Sequence, residues 1–94
     1  MSLPRVAITV GDPAGIGPEI AAHAAADPRV RAVCEPIVYG PAAGATFAPG
    51  VLSAGAGQAA YDTIVRAVAD AQQGVVDAMA TAPVNKEAFR LAGL

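Results

Sequence analysis

The sequence predicts an α/β fold in which a parallel sheet is built from strand–helix–strand units. Short apolar or β-branched runs alternate three times with helical segments, which is the pattern of parallel strands joined by crossover helices. Glycine or proline bounds these runs, as is typical of buried strands that end in turns. The 94 residues fit one small structural unit. We therefore expect residues 1–94 to form a single α/β segment.

The first predicted unit is a strand followed by an alanine-rich helix. Residues 5–10 (RVAITV) are continuous, apolar and β-branched, as expected of a buried strand. Pro18 suits the first helical turn because its missing N–H is not needed there. The helix is expected to end at Asp27, since a residue before proline avoids helical backbone angles. Residues 29–33 then form a short connector.

The second predicted strand is residues 35–39 (EPIVY), with Pro36 at its start or in an edge position. Residues 40–57 (GPAAGATFAPGVLSAGAG) read as a loop with one candidate strand at 51–52. So long an irregular stretch is unusual as an ordinary connection within a small domain.

The clearest helix is predicted over residues 58–73, ended by Gly74. Its apolar positions recur at three- and four-residue spacing and predict one buried face: Tyr61, Ile64, Val65, Val68 and Ala71. Its charged positions predict successive ion pairs along the opposite face: Asp62, Arg66 and Asp70. A third strand over 75–80, a turn over 81–84 and a last helix over 86–93 with Asn85 as N-cap complete the prediction.

Composition excludes several classes of function. The net charge is −2, the pI is near 5.0, and the charges occur singly, so nothing predicts a nucleic-acid surface. No stretch has the length of a membrane span, and the short N-terminal apolar run does not resemble a signal peptide. Cys34 is the only cysteine, which excludes an internal disulfide. We expect a cytoplasmic protein with neither nucleic-acid nor membrane partners.

Candidate binding residues lie in the glycine-rich loop VGDPAGIGPE after the first strand. The loop follows the carboxyl end of a parallel strand and precedes a helix, where backbone N–H groups favour anionic ligands. Gly11, Gly15 and Gly17 would let a ligand approach the backbone, and Asp12 could orient a ligand hydroxyl. Alternatively, the glycines serve only the backbone angles of a tight turn and Asp12 closes an Asx-turn. The sequence leaves both interpretations open.

A second glycine motif, GAGQAA at 55–60, matches the dinucleotide pattern G-x-G-x-x-A, with Asp77 at a suitable distance for a ribose contact. No convincing strand precedes it, so the first turn of a helix is the favoured interpretation. His23 is the only histidine and cannot form a metal site by itself. Cys34 is interpreted as a small apolar filler.

Two separated stretches resemble one family. ITVGDPAGIGPEI near the start and ATAPVNKEAFRLAGL at the end are similar to 4-hydroxythreonine-4-phosphate dehydrogenases. The glycine loop also resembles the wider isocitrate and isopropylmalate dehydrogenase superfamily. The resemblance implies that the chain is the N-terminal part of a two-lobed fold and is incomplete, with a shortened or missing stretch around 41–52.

The resemblance also implies an activity. Family members are NAD-dependent homodimers that require a divalent metal such as zinc, magnesium or cobalt. They oxidise and decarboxylate 4-phosphooxy-L-threonine in pyridoxal phosphate biosynthesis, and close relatives act on D-threonate or D-erythronate 4-phosphate. The metal would bind the substrate's hydroxyl and carboxylate oxygens.

Carried over by position, the family's two cleft loops correspond to residues 11–19 and 81–87. The resemblance thereby implies cofactor- or substrate-binding roles for Gly11, Asp12, Gly15, Gly17, Asn85 and Lys86. No catalytic residue can be assigned, and the family's histidine metal ligands belong to later motifs. We therefore expect no turnover from these 94 residues alone. The alternative function is a non-catalytic α/β module that binds an anion or nucleotide.

Overall fold

In the computed structural model, which describes residues 2–94, three parallel strands and four helices follow one another along the chain. The strands are β1 (Arg5–Thr9), β2 (Glu35–Tyr39) and β3 (Ala78–Thr81). The helices are α1 (Gly17–Ala26), α2 (Pro28–Arg31), α3 (Ala54–Gln72) and α4 (Lys86–Leu91). The sheet order is β2-β1-β3, and both neighbouring pairs are parallel, which confirms the predicted class.

The register places the carboxyl ends of all three strands at one edge of the sheet. Thr9 at the end of β1 pairs with Tyr39 of β2 and with Thr81 of β3. The loops that follow β1 and β3 therefore leave the sheet side by side. β2 matches its predicted bounds, and Pro36 does lie in an edge strand.

The two faces of the sheet are covered by different helices. On one face, Ala7 and Tyr39 form a core with Ala67 of α3 and with Val76. On the other face, α1 and the sheet border an apolar groove of about 320 Å³ whose lining includes Val6 and Ile8. The fold therefore has helices on both sides of a parallel sheet.

The predicted start of the long helix is wrong. α3 begins at Ala54, four residues before the predicted start, because Ser53 caps it: the Ser53 hydroxyl accepts a 3.0 Å hydrogen bond from the Ala56 N–H. Residues 51–52 do not form the candidate strand and lie in the coil that precedes this cap.

The predicted buried face of α3 is wrong at three of its five positions, while Ala71 does pack against the core and Ile64 is half-buried. The fully buried positions of α3 are small residues: Ala56, Gly57, Ala60, Thr63 and Ala67. Tyr61, Val65 and Val68 are instead 42%, 48% and 40% exposed. Small side chains let the helix backbone approach the sheet closely, so alanine, and not the larger apolar residues, occupies the interface.

The predicted ion pairs along α3 are absent from the described residues, because their charged groups have other partners. Arg66 donates a 2.9 Å hydrogen bond to the carbonyl of Gly40 and lies 5.2 Å from the centre of the Tyr39 ring. Asp70 accepts from the Tyr39 hydroxyl, and Asp62 accepts from the Gln58 amide. Two of these residues therefore brace the end of β2.

Further boundaries also differ from prediction. Residues 28–31 form the short helix α2, which overlaps the predicted connector 29–33, because Asp27 caps it by accepting a hydrogen bond from the Arg29 N–H. β3 starts three residues late, since the N–H groups of Val75 and Val76 both bond to the Asp70 carbonyl and hold a turn there. Thr81, predicted in a turn, ends β3, and α4 stops at Leu91, two residues before the predicted end.

Candidate functional site

The glycine loop after β1 contacts the loop after β3 directly. Gly11 has a φ of +69°, a backbone conformation that favours glycine. A Cβ at this position would overlap the carbonyl oxygen of Pro83. The next residue, Asp12, donates its N–H to that same oxygen at 3.0 Å. The fold therefore requires Gly11 to join the two loops.

The three loop glycines differ in what the fold demands of them. A Cβ on Gly17 would overlap the carbonyl oxygen of Val10, so Gly17 is required for the first turn of α1 to approach β1. A Cβ on Gly15 would meet nothing closer than the carbonyl oxygen of Asp12 at 3.5 Å, an ordinary contact. Gly15 is exposed. No close contact of the fold therefore requires a glycine at this position.

Asp12 closes an Asx-turn, one of its two predicted roles. Its Oδ1 accepts a 2.9 Å hydrogen bond from the Ala14 N–H, and its carbonyl accepts a 3.0 Å bond from the Gly15 N–H. No hydrogen bond reaches Asp12 Oδ2 within the part of the chain that the structure describes. The turn thus fixes one carboxylate oxygen and leaves the other available.

Asn85 caps α4, as predicted. Its Oδ1 accepts hydrogen bonds of 3.0 and 3.1 Å from the N–H groups of Glu87 and Ala88. The position of α4 depends on a close helix contact, since a Cβ on Gly57 of α3 would overlap the carbonyl oxygen of Ala88. Glu87 also pairs with Arg90 one turn later, and this pair holds the pKa of the Glu87 carboxyl below its usual value.

Residues from three loops line one cleft of about 140 Å³ at the carboxyl edge of the sheet. The cleft brings together three predicted site residues: Asp12, Gly15 and Asn85. Gly11, Gly17 and Lys86 do not line it, although Lys86 is exposed beside Asn85. Ala14 also lines it and falls within the predicted cleft loop 11–19, whereas sequence reasoning missed three lining residues: Gly50, Val51 and Leu52.

The missed residues belong to residues 41–52, which we call the bridge. The bridge is tied to the glycine loop by a 2.7 Å hydrogen bond from the Gly50 N–H to the Ala14 carbonyl. Its unusual length is the only signal in the sequence, because Val51 and Leu52 also fit a short strand. The bridge therefore forms one wall of the cleft.

A larger hollow of about 490 Å³ lies between the bridge and α3. Its lining includes Phe47, Gln58 and Arg66 but no residue of the glycine loop or of the 82–85 loop. Arg66 is already bonded to the Gly40 carbonyl. The smaller cleft is the better candidate site because it joins both sequence motifs.

The structure excludes a dinucleotide fingerprint at residues 55–60. These residues lie within α3, as the favoured interpretation predicted. Asp77 lies at the opposite, amino edge of the sheet, where its Oδ2 accepts a 2.8 Å hydrogen bond from the Arg5 N–H. The two parts of the motif therefore do not face a common ligand.

The two cofactors implied by the family fit the described residues differently. No group of three or more His, Cys, Asp or Glu side chains within residues 2–94 is arranged to hold a metal ion, so no chemical step can be assigned to a metal here. His23 is exposed on α1, and Cys34 is half-buried with its thiol directed to the Val30 carbonyl. The hydrogen-bonding groups of Asp12 and Asn85, which line the cleft beside Gly15, are of a kind that NAD would use.

A parallel sheet with helices on both faces and a cleft at its carboxyl edge defines the class of α/β proteins that bind small ligands at strand ends. Residues 8–94 match the family described as "Pyridoxal phosphate biosynthetic protein PdxA", and the chain belongs to that family. Across residues 2–94, none of the helices combines the length and apolar character that crossing a membrane demands.

Named relatives agree with this assignment. The chain is 34% identical to 4-hydroxythreonine-4-phosphate dehydrogenase of Trichlorobacter lovleyi, covering 96% of this chain and 39% of the relative. It is 36% identical to D-threonate 4-phosphate dehydrogenase of Cupriavidus necator, and the alignment covers 97% of this chain and 39% of that relative. The crystal structure of a 4-hydroxythreonine-4-phosphate dehydrogenase from Burkholderia phymatum superposes with a TM-score of 0.88 at 34% identity, covering 99% of this chain and 40% of that one.

The chain thus spans about two fifths of the length of the relatives it matches. The alignment with the Cupriavidus necator enzyme extends over 130 positions, which exceeds the 94 residues of this chain by 36. Residues of the relative therefore lack counterparts inside the matched region.

Proposed function

We propose that this chain forms the N-terminal part of an NAD-dependent, metal-requiring dehydrogenase. Its substrate is a phosphorylated four-carbon hydroxy acid: 4-phosphooxy-L-threonine, or D-threonate or D-erythronate 4-phosphate. The observation that carries the proposal is the single cleft lined by Asp12, Gly15 and Asn85, which lie in the two stretches that resemble the family. The names of the relatives supply the substrate class.

In this proposal the described residues bind and orient, and do not carry out the chemical step. NAD, when bound, accepts the hydride from the substrate alcohol. Gly15 leaves room for the ligand, while Asp12 Oδ2 and the amide of Asn85 offer an acceptor and a donor to it. Gly11 and Gly17 hold the loops in place, and Lys86 is available at the rim for an anionic group. The metal ligands, the homodimer contacts and a cytoplasmic location belong to the complete enzyme.

A chimera tests the proposal. Residues 1–94 would replace the aligned part of the Cupriavidus necator D-threonate 4-phosphate dehydrogenase, and NADH formation would be measured with each of the three substrates. We expect turnover by the chimera and none by the isolated chain. A matched chimera with Asn85→Asp keeps the helix cap but removes the amide donor, and should raise KM for the cofactor or the substrate.

One result would contradict the proposal. The chimera would fold, with the circular dichroism spectrum of the relative, and would bind a ligand, but it would form no NADH. That outcome favours the alternative of a non-catalytic binding module. The shortening relative to the family, which we propose lies within the bridge, would then account for the loss of activity.

A further inference from the structure

The cleft at the carboxyl edge of the sheet contains a carboxylate and no cation. Asp12 is the only ionisable side chain among its seven lining residues, and Lys86 lies outside the lining. A phosphate placed in the cleft would have its negative charge next to that carboxylate, which Coulomb repulsion disfavours. The electrostatics therefore disfavour an anionic group and accept an uncharged or a cationic one.

The polar groups of the cleft suit a ligand with both donors and acceptors. Asp12 Oδ2 accepts hydrogen bonds, and the amide nitrogen of Asn85 donates them. Neither atom has a hydrogen-bond partner within residues 2–94, since Asp12 and Asn85 each use only Oδ1 for their turn and cap. A sugar hydroxyl or a ring amide can satisfy both.

The remaining wall is apolar and exposed. Val51 and Leu52 are 52% and 45% exposed and border the cleft beside Ala14. Apolar side chains gain free energy when a flat ring covers them. The volume of about 140 Å³ is close to that of a protein cavity that holds one benzene ring, about 150 Å³.

From these three properties we infer that the cleft binds a heteroaromatic nucleoside part of the cofactor, without its phosphates, and that Val51 and Leu52 of the bridge determine this specificity. The inference rests on the use of NAD in the proposed function and names the part of the ligand that this cleft receives. The hydrogen bond between Gly50 and Ala14 holds the bridge against the glycine loop, so the apolar wall lies where the ring would stack. The phosphorylated substrate binds elsewhere.

Amide chemical shifts of the 94-residue chain test the inference. Three probes would be titrated separately: adenosine, nicotinamide riboside and inorganic phosphate. We expect one nucleoside to give saturable shifts at Gly15, Val51, Leu52 and Asn85, which also identifies the end of NAD that binds. Phosphate should leave these four amides unchanged. Equal shifts with phosphate, or no shift with either nucleoside, would overturn the inference.

Variants test the role of the bridge. The double variant Val51→Ser/Leu52→Ser should weaken nucleoside binding about tenfold because it removes the apolar stacking surface. The matched control is Val33→Ser, since Val33 is 66% exposed and precedes β2 at the opposite edge of the sheet. Unchanged affinity in the double variant, with the remaining amide spectrum intact, contradicts the inference.

The two proposals can fail separately. If the chimera is active but nucleosides shift only amides outside the cleft, the proposed dehydrogenase function stands and the inference about the cleft is wrong. If the chimera folds but is inactive, and nucleosides bind at Val51 and Leu52, the inference about the cleft stands and the proposed dehydrogenase function is wrong.

Discussion

The Tyr39 hydroxyl donates a 2.6 Å hydrogen bond to Oδ2 of Asp70, 31 residues further along the chain. This bond joins the end of β2 to α3, and Arg66 covers the same tyrosine ring while bonding to Gly40. The backbone carbonyl of Tyr39 in turn accepts a 3.0 Å hydrogen bond from the Val10 N–H. The start of the glycine loop is thus braced, through β2, by a helix that does not contribute to the cleft.

The first prediction concerns the pH dependence of this brace. The hydrogen bond to Asp70, followed by burial, raises the pKa of Tyr39 above its usual value of 10.0. The folded chain therefore favours the neutral hydroxyl, and the resulting stability is fully present below about pH 10 and is lost as the pH rises through the folded-state pKa. Urea unfolding between pH 7 and roughly pH 11 would measure the loss.

Tyr39→Phe is the control for that series. At neutral pH it should lower the free energy of unfolding by about 1.5 kcal/mol, because the half-buried Asp70 carboxylate loses its donor. Above about pH 10 the difference between the two proteins should shrink. A difference that stays constant across the range would mean that Tyr39 is not the group responsible.

The second prediction concerns Thr9 at the end of β1. Thr9 is fully buried, and its hydroxyl has no hydrogen-bond partner within residues 2–94. Thr9→Val removes an unsatisfied polar group at nearly constant shape and should stabilise the chain by about 1 kcal/mol. Thr63→Val is the matched control, since that buried hydroxyl donates to the Ala59 carbonyl at 2.8 Å. Thermal unfolding should rank Thr9→Val above Thr63→Val, and the reverse order would contradict the explanation.

The third prediction separates the loop glycines. Gly11→Ala and Gly17→Ala should each destabilise the chain by about 1–3 kcal/mol or more, because the new methyl group overlaps a backbone carbonyl. Gly15→Ala should change stability by no more than about 0.5 kcal/mol, yet weaken nucleoside binding by narrowing the cleft. Denaturant unfolding and the nucleoside titration, run on all three variants, distinguish the two roles. A strongly destabilised Gly15→Ala variant would show that the fold needs this glycine too.

The fourth prediction separates the two roles of Asn85. Asn85→Ala removes the cap of α4 and should cost about 1 kcal/mol. Asn85→Asp retains an accepting oxygen for the N–H groups of Glu87 and Ala88 and should keep most of that stability. It also replaces the amide donor with a second carboxylate in the cleft, so ligand binding should fall in both variants. Binding that survives in Asn85→Asp would restrict Asn85 to its cap.

Parts of this structure follow from local sequence. The apolar run of β1 and the glycine loop that follows it can be recognised in the sequence because strands and turns use distinctive residue types. The proximity of Asp12 and Asn85 was also predictable, since parallel strands end at one edge. The buried face of α3 was not fully predictable from apolar periodicity, because alanines such as Ala60 and Ala67 carry a weak signal although they are buried. The bridge was missed since Val51 and Leu52 look like a strand until their surroundings are known.

Gly57 lies outside both cleft loops, yet the close approach of α3 to Ala88 depends on it. Any side chain there would push α4 outward and carry Asn85 with it. A genetic screen that found loss of function at residue 57 would therefore report a displaced helix and not a lost ligand contact. Maps of deleterious substitutions in this family should accordingly show a second sensitive region in α3, distant in sequence from the loops whose geometry it maintains.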